Sequence, residues 1–119
     1  MGLDQYAHRV KESISADGVT QTTVEQEHIT YWRKHHELQD WMEKRWRDAG
    51  GEGIFNCEKL DLTLADLDSL EEDVMLCFKQ DDRYVERYVE RFQQRDLEFI
   101  EKGRKALKEG YRLEYNSWW

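Results

Sequence analysis

The chain has 119 residues, of which 37% are charged and 39% hydrophobic, and five Trp, six Tyr and four Phe supply its bulk apolar area. A net charge of −8 works against non-specific binding to duplex DNA, whose affinity comes from Lys and Arg displacing counterions, and it leaves room for a basic groove only as a local patch. No stretch approaches the roughly 18 apolar residues of a membrane-spanning helix, while the aromatic content provides the burial that charged disordered chains lack; the expectation is one folded domain over 1–119 with no membrane part.

Leu3 to Val10 contain no Gly or Pro, and Tyr6, His8 and Val10 alternate on one side, which predicts a first strand. Ala16-Asp17-Gly18 then offers Asp-Gly, the dipeptide that suits the positive φ of a type I′ turn. The β-branched run Val19–Val24 follows as hairpin partner, with its strand ending before Tyr31. From Thr30 to Ala49 the period becomes helical, with Tyr31, Leu38, Trp41, Met42 and Trp46 on one broad face. Trp41 is expected in the core, and Gly50-Gly51 ends the helix.

A short extended piece, Phe55 to Leu62, leads to the clearest boundary in the chain. Thr63 and Asp66 have capping-box spacing and Leu62 and Leu67 that of a hydrophobic staple, so a helix begins at Leu64. Its inward face is Leu67, Leu70, Val74 and Cys77 or Phe78. Asp82 to Lys108 form a third helical stretch with a tetrapeptide echo, Arg83-Tyr84-Val85-Glu86, Arg87-Tyr88-Val89-Glu90, Arg91-Phe92-Gln93-Gln94. The echo aligns Tyr84, Tyr88 and Phe92 in one ridge and Arg83, Arg87, Arg91 and Arg95 in another. Gly103 marks a bend, Gly110 a stop, and Tyr111, Leu113 and Tyr115 alternate as in a half-buried strand. Trp118 and Trp119 carry too much aromatic surface to dangle, so the tail belongs to the folded body. The reading is an α+β fold in which three helical stretches pack on a small, mainly antiparallel sheet containing both terminal strands.

His35 and His36 point about 100° apart on a helix, so they do not share a metal, and both read as solvent-facing. Cys57 reads as a small buried residue, and with Cys77 as a free thiol of a reducing compartment. Tyr31-Trp32-Arg33-Lys34 joins aromatics to cations, a combination that stacks a base and holds a phosphate, against the simpler reading of a packed Trp32 with solvated cations. The arginine ridge can meet an anionic partner, although Arg83–Glu86 and Arg87–Glu90 are spaced for ordinary i,i+3 ion pairs. The acidic stretch Glu58–Asp73 partly complements a helix dipole and otherwise offers a nucleic-acid mimic or a lure for a basic partner. No phosphate-binding glycine loop and no nucleophile elbow is present.

Taken together, Gly2, Leu3, Asp4 and Tyr6, then Tyr31, Trp32, Arg33, Lys34, Leu38 and Trp41, then Asn56, Cys57, Leu62 and Thr63, and finally Tyr115, Ser117 and Trp118 give the chain a pattern. It resembles a family of small phage and phage-derived bacterial proteins that begin MGLDMY, carry YWRK and finish near a Ser-Trp pair. The family's Phe-Phe-Phe-Gly segment is missing, and Gln39 stands where it has a histidine. The resemblance implies a phage source and a host-cytoplasmic setting, and supplies no chemistry.

The function expected is therefore an accessory protein that binds a host or viral protein, with no catalysis, cofactor or metal; self-association is compatible with it. Its candidate binding surface is Arg83, Arg87, Arg91, Arg95, Trp118 and Trp119. The alternatives are a small enzyme or ligand-binding domain centred on Asp4, Arg33, Lys34, Asn56 and Cys57, and the acidic mimic; if those five residues are architecture instead, Asp4 pairs with Arg33 or Lys34 to anchor the N-terminal strand and Asn56 satisfies backbone groups before the second helix.

Overall fold

A computed structural model describes residues 2–14, 22–79 and 81–119. Its elements run β1 (Asp4–Ile14), β2 (Thr22–Arg33), α1 (His36–Asp48), β3 (Leu60–Leu62), α2 (Leu64–Met75), α3 (Asp82–Tyr88), a π-helical turn (Val89–Gln93), α4 (Gln94–Lys108) and β4 (Arg112–Trp118). The strands form one antiparallel sheet in the order β2-β1-β4-β3, so the first and last strands are its two central members. Three helical bodies pack with this sheet, the last of them α3, the π turn and α4 in continuous succession. This is the α+β architecture expected. The turn expected at Ala16-Asp17-Gly18 lies outside the described residues.

Alternation along each strand sends Ala7, Trp32, Leu60, Leu62, Leu113 and Tyr115 into a core completed by Leu38, Met42, Leu67, Leu70, Val74, Phe99 and Ile100 from the helices. The opposite direction carries a run of touching rings, Tyr31 on Tyr6, Tyr6 on His8 and His8 on His28. The capping box forms as expected: the Asp66 N–H donates to Thr63 Oγ1 at 3.1 Å and the Thr63 N–H to Asp66 Oδ2 at 2.9 Å. Such a cap satisfies donors that a helix start leaves orphaned and contributes about 1 kcal/mol. Gly103 does not interrupt its helix. It lies within α4 where a Cβ would sit 2.8 Å from Leu113 Cδ2 and 3.1 Å from Leu67 Cδ1, so its missing side chain lets the helix close on β4 and α2.

The helix expected from Thr30 begins only at His36, because β2 runs on to Arg33 and does not end before Tyr31. Tyr31 pairs with Tyr6, Trp32 with Gln5 and Arg33 with Asp4 across β1. Ile29-Thr30-Tyr31-Trp32 is β-branched and aromatic, and the sheet's non-local hydrogen bonds override the apparent helical period. Lys34, at φ +57°, turns the chain out of the strand. The change of element also exchanges two tryptophans. Trp32 is fully buried and meets Phe99 edge-on at 4.9 Å, whereas Trp41 is only partly buried and its indole N–H donates to Asp73 at 2.8 Å.

Candidate functional site

Two layers lie at the junction of β2, α1 and α3. The lower one is a buried polar cluster around His35, which is fully enclosed and corrects the solvent-facing reading; its neighbour His36 is exposed as expected. His35 Nε2 lies 2.8 Å from Asp96 Oδ2 and Nδ1 lies 3.3 Å from Glu37 Oε2. Asp96 is itself buried and also accepts from Trp32 Nε1–H at 2.8 Å and Tyr88 O–H at 2.6 Å. Gln5 extends the network: its amide donates to the His35 carbonyl and to the Tyr115 hydroxyl, each at 2.9 Å, and its oxygen accepts the His35 N–H at 2.8 Å. The Tyr115 hydroxyl donates to Gln39 at 2.6 Å. One connected set of hydrogen bonds thus joins β1, β2, β4, α1, α3 and α4.

Burial by itself would lower the His35 pKa, but the hydrogen bonds to Asp96 and then Glu37 outweigh it and hold the imidazole above its ordinary value. Two carboxylates facing the two ring nitrogens suit the imidazolium. Burial, reinforced by the Asp96 charge and hydrogen bond, pushes the Tyr88 phenol far up, so it stays a donor. Phe92 stacks on the imidazole at 4.1 Å with planes 8° apart, and Phe78 and Tyr88 pack against it at 5.8 Å. Phe78 reaches that place from a left-handed turn, Cys77–Lys79, with φ between +51° and +56°. An imidazole so enclosed and so fully bonded ties these elements together.

The upper layer is an open groove of about 660 Å³ whose floor is the roof of the cluster, since Tyr88 and Phe92 line both. Arg33 and Lys34 come from the end of β2, His36 and Glu37 from the start of α1, and Tyr84, Arg87 and Arg91 from the facing helix. Among the described residues no carboxylate lies within ion-pair distance of Arg33, Lys34, Arg87 or Arg91. Glu37 is engaged with His35, and no side chain caps the start of α1, so its dipole adds to the positive potential. The far wall includes the π turn Val89–Gln93, a costly irregularity of the kind found at functional sites.

The expected residues divide among different places. Arg33 and Lys34 join Arg87 and Arg91 in the groove, which unites parts of two candidate sets. Arg83 pairs with Asp81 rather than Glu86, and Arg95 reaches the Tyr31 carbonyl at 3.4 Å, so the arginine ridge is not one surface. Asp4 accepts the Tyr31 hydroxyl and forms no ion pair with Arg33 or Lys34 among the described residues. Asn56 clasps the Trp119 backbone through two 3.1 Å hydrogen bonds, and the Cys57 N–H donates to the Ser117 carbonyl at 2.8 Å. Asn56 and Cys57 therefore moor the C-terminal strand and do not line the groove. Cys57 is exposed, not buried, at φ +62°, because what anchors this loop is its backbone and the Asn56 and Phe55 contacts to the C-terminal strand, not the thiol. Trp118 and Trp119 remain half exposed although their backbone is held.

Much of the acidic stretch is engaged internally: Asp61 with Arg112, Asp66 with Arg45, and Asp68 and Glu71 with Arg104. That weakens its reading as a free phosphate-like array. Among the described residues no cluster of His, Cys, Asp and Glu is arranged to hold a metal, and no helix is long and apolar enough to cross a membrane. No protein-family model, curated protein or solved structure matches the chain.

Proposed function

We propose that the chain is a non-catalytic binding domain that takes up an acidic segment of a partner protein in the groove between β2, α1 and α3. The observation that carries this reading is the convergence of Arg33, Lys34, Arg87 and Arg91, without carboxylate partners among the described residues, in a chain whose net charge is −8. Like charges crowded in one groove repel one another unless an anion joins them, and the excess acid elsewhere disfavours a long polynucleotide. The sequence resemblance would make the partner a host or phage protein.

The enzyme alternative finds less support. Asn56 and Cys57 are absent from the groove, and His35, whose pKa the neighbouring carboxylates raise, is enclosed on every side. A fluorescein-labelled oligo-glutamate peptide should bind the intact protein with an affinity that falls steeply with salt. Arg87→Glu combined with Arg91→Glu should abolish binding, while Arg83→Glu, on the same helix but outside the groove, should leave it. Binding that survives the double reversal would overturn the proposal.

A further inference from the structure

We infer that the basic groove continues past Lys34 and His36 into a second recess of opposite character, and that the two together read an acidic run flanked by a lysine or arginine. This rests on the groove reading above and adds the second half of the ligand. The second recess, about 550 Å³, shares Lys34 and His36 with the first and is otherwise lined by Leu3, Gln39, Asp40, Glu43 and Trp119. The two are therefore adjacent stations along one surface.

Its chemistry is that of a cation site. The Trp119 indole N–H donates to the Phe55 carbonyl at 2.8 Å, and Asn56 holds its backbone, so the ring is fixed while about half of it faces solvent. An indole face with carboxylates beside it attracts an ammonium or guanidinium through the ring quadrupole and the charge together. Asp40 has no hydrogen bond or ion pair among the described residues. Partial burial, and then repulsion from Glu43, hold its carboxyl above the ordinary range, so an incoming cation relieves an existing strain in charge. Among the described residues Glu43 is tied to the exposed Arg47 at 3.6 Å and to no other cation. Gln39, which also lines the second recess, is committed to the Tyr115 hydroxyl and the Phe55 carbonyl. A segment carrying acid into one station and a cation into the other satisfies both, whereas a purely acidic segment meets Asp40 and Glu43 as repulsion.

The test compares oligo-glutamate with the same peptide extended by lysine or arginine at one end or the other. One extended peptide should bind about fivefold more tightly, the scale of an exposed cation–π contact with a charge beside it. Asp40→Asn, an exposed substitution that leaves the fold alone, and separately Trp119→Ala, should erase that gain without weakening the unextended peptide. No gain from extension at either end, or a gain that persists in both variants, overturns the inference while the groove reading stands. Failure of the unextended peptide itself overturns the groove reading. Displacement of the extended peptide by adenosine monophosphate, dependent on Asp40 and Trp119, would assign the paired stations to a nucleotide and also overturn the inference.

Discussion

The enclosed cluster and the open groove above it share Tyr88 and Phe92 yet follow opposite rules. Below, His35, Asp96, Gln5, Trp32 and Tyr115 each find a partner within the protein. Above, Arg33, Lys34, Arg87 and Arg91 find no carboxylate among the described residues. A buried polar group left unpaired costs a few kcal/mol, so selection for folding alone accounts for the first layer. Nothing in folding demands the second, which is why the groove, and not the perturbed histidine, is the candidate for recognition.

Four experiments would break or sharpen that contrast. Asp96→Ala should be the most damaging, because it strands His35, Trp32 Nε1–H and Tyr88 O–H at once; breaking a buried pair costs about 3–5 kcal/mol, readable as a lower urea midpoint. Tyr88→Phe removes a single hydrogen bond to a charged acceptor and should cost about 1.5–3 kcal/mol, with the ring still lining the groove and oligo-glutamate binding retained. The third is the pH response of stability. His35 holds its proton more tightly folded than unfolded, so its contribution is complete below the ordinary imidazole value of about 6.5 and is lost as pH rises through the raised folded value. Urea midpoints should decline across that range, and His35→Gln should flatten the decline. Smallest in stability is Arg87→Ala with Arg91→Ala, expected to stay within about 0.5 kcal/mol per site while anion binding is lost. A large stability loss there would make the cations structural and dissolve the contrast.

What could be read in the chain beforehand follows the range of the forces involved. The Thr63–Asp66 cap and the glycine stop after α1 are set by residues a few positions apart, and they are where the sequence puts them, whereas the alternation read into β4 holds only in part, since Glu114 is buried along with its neighbours Leu113 and Tyr115. The end of β2 is different. Tyr31 and Trp32 fit a helical face as well as a strand, and the choice is made by β1, whose Gln5 and Tyr6 pair with them from the other arm of the hairpin. His35 follows the same logic, since its decisive partner Asp96 lies 61 positions away and no spacing rule announces it. Half of the groove was visible as the arginine repeat and half as Arg33-Lys34; their meeting is a property of the turn at Lys34 and the packing of α3.

The placement of β1 beside β4 has a kinetic consequence. Asp4 faces Trp118 and Val10 faces Arg112, so the middle of the sheet is stitched from opposite ends of the chain. The β1–β2 hairpin and the α2–α4 contact involve shorter separations and can form early, but joining β4 to β1 closes nearly the whole polypeptide into one loop, a step whose entropic cost precedes any reward. During synthesis β1 must wait with one hydrogen-bonding edge open until β4 has left the ribosome. Stalled chains ending before Arg112 should therefore be more protease-sensitive than the 119-residue chain, and refolding of that chain should be slow relative to helical domains of similar size, with closure of the central strand pair limiting the rate.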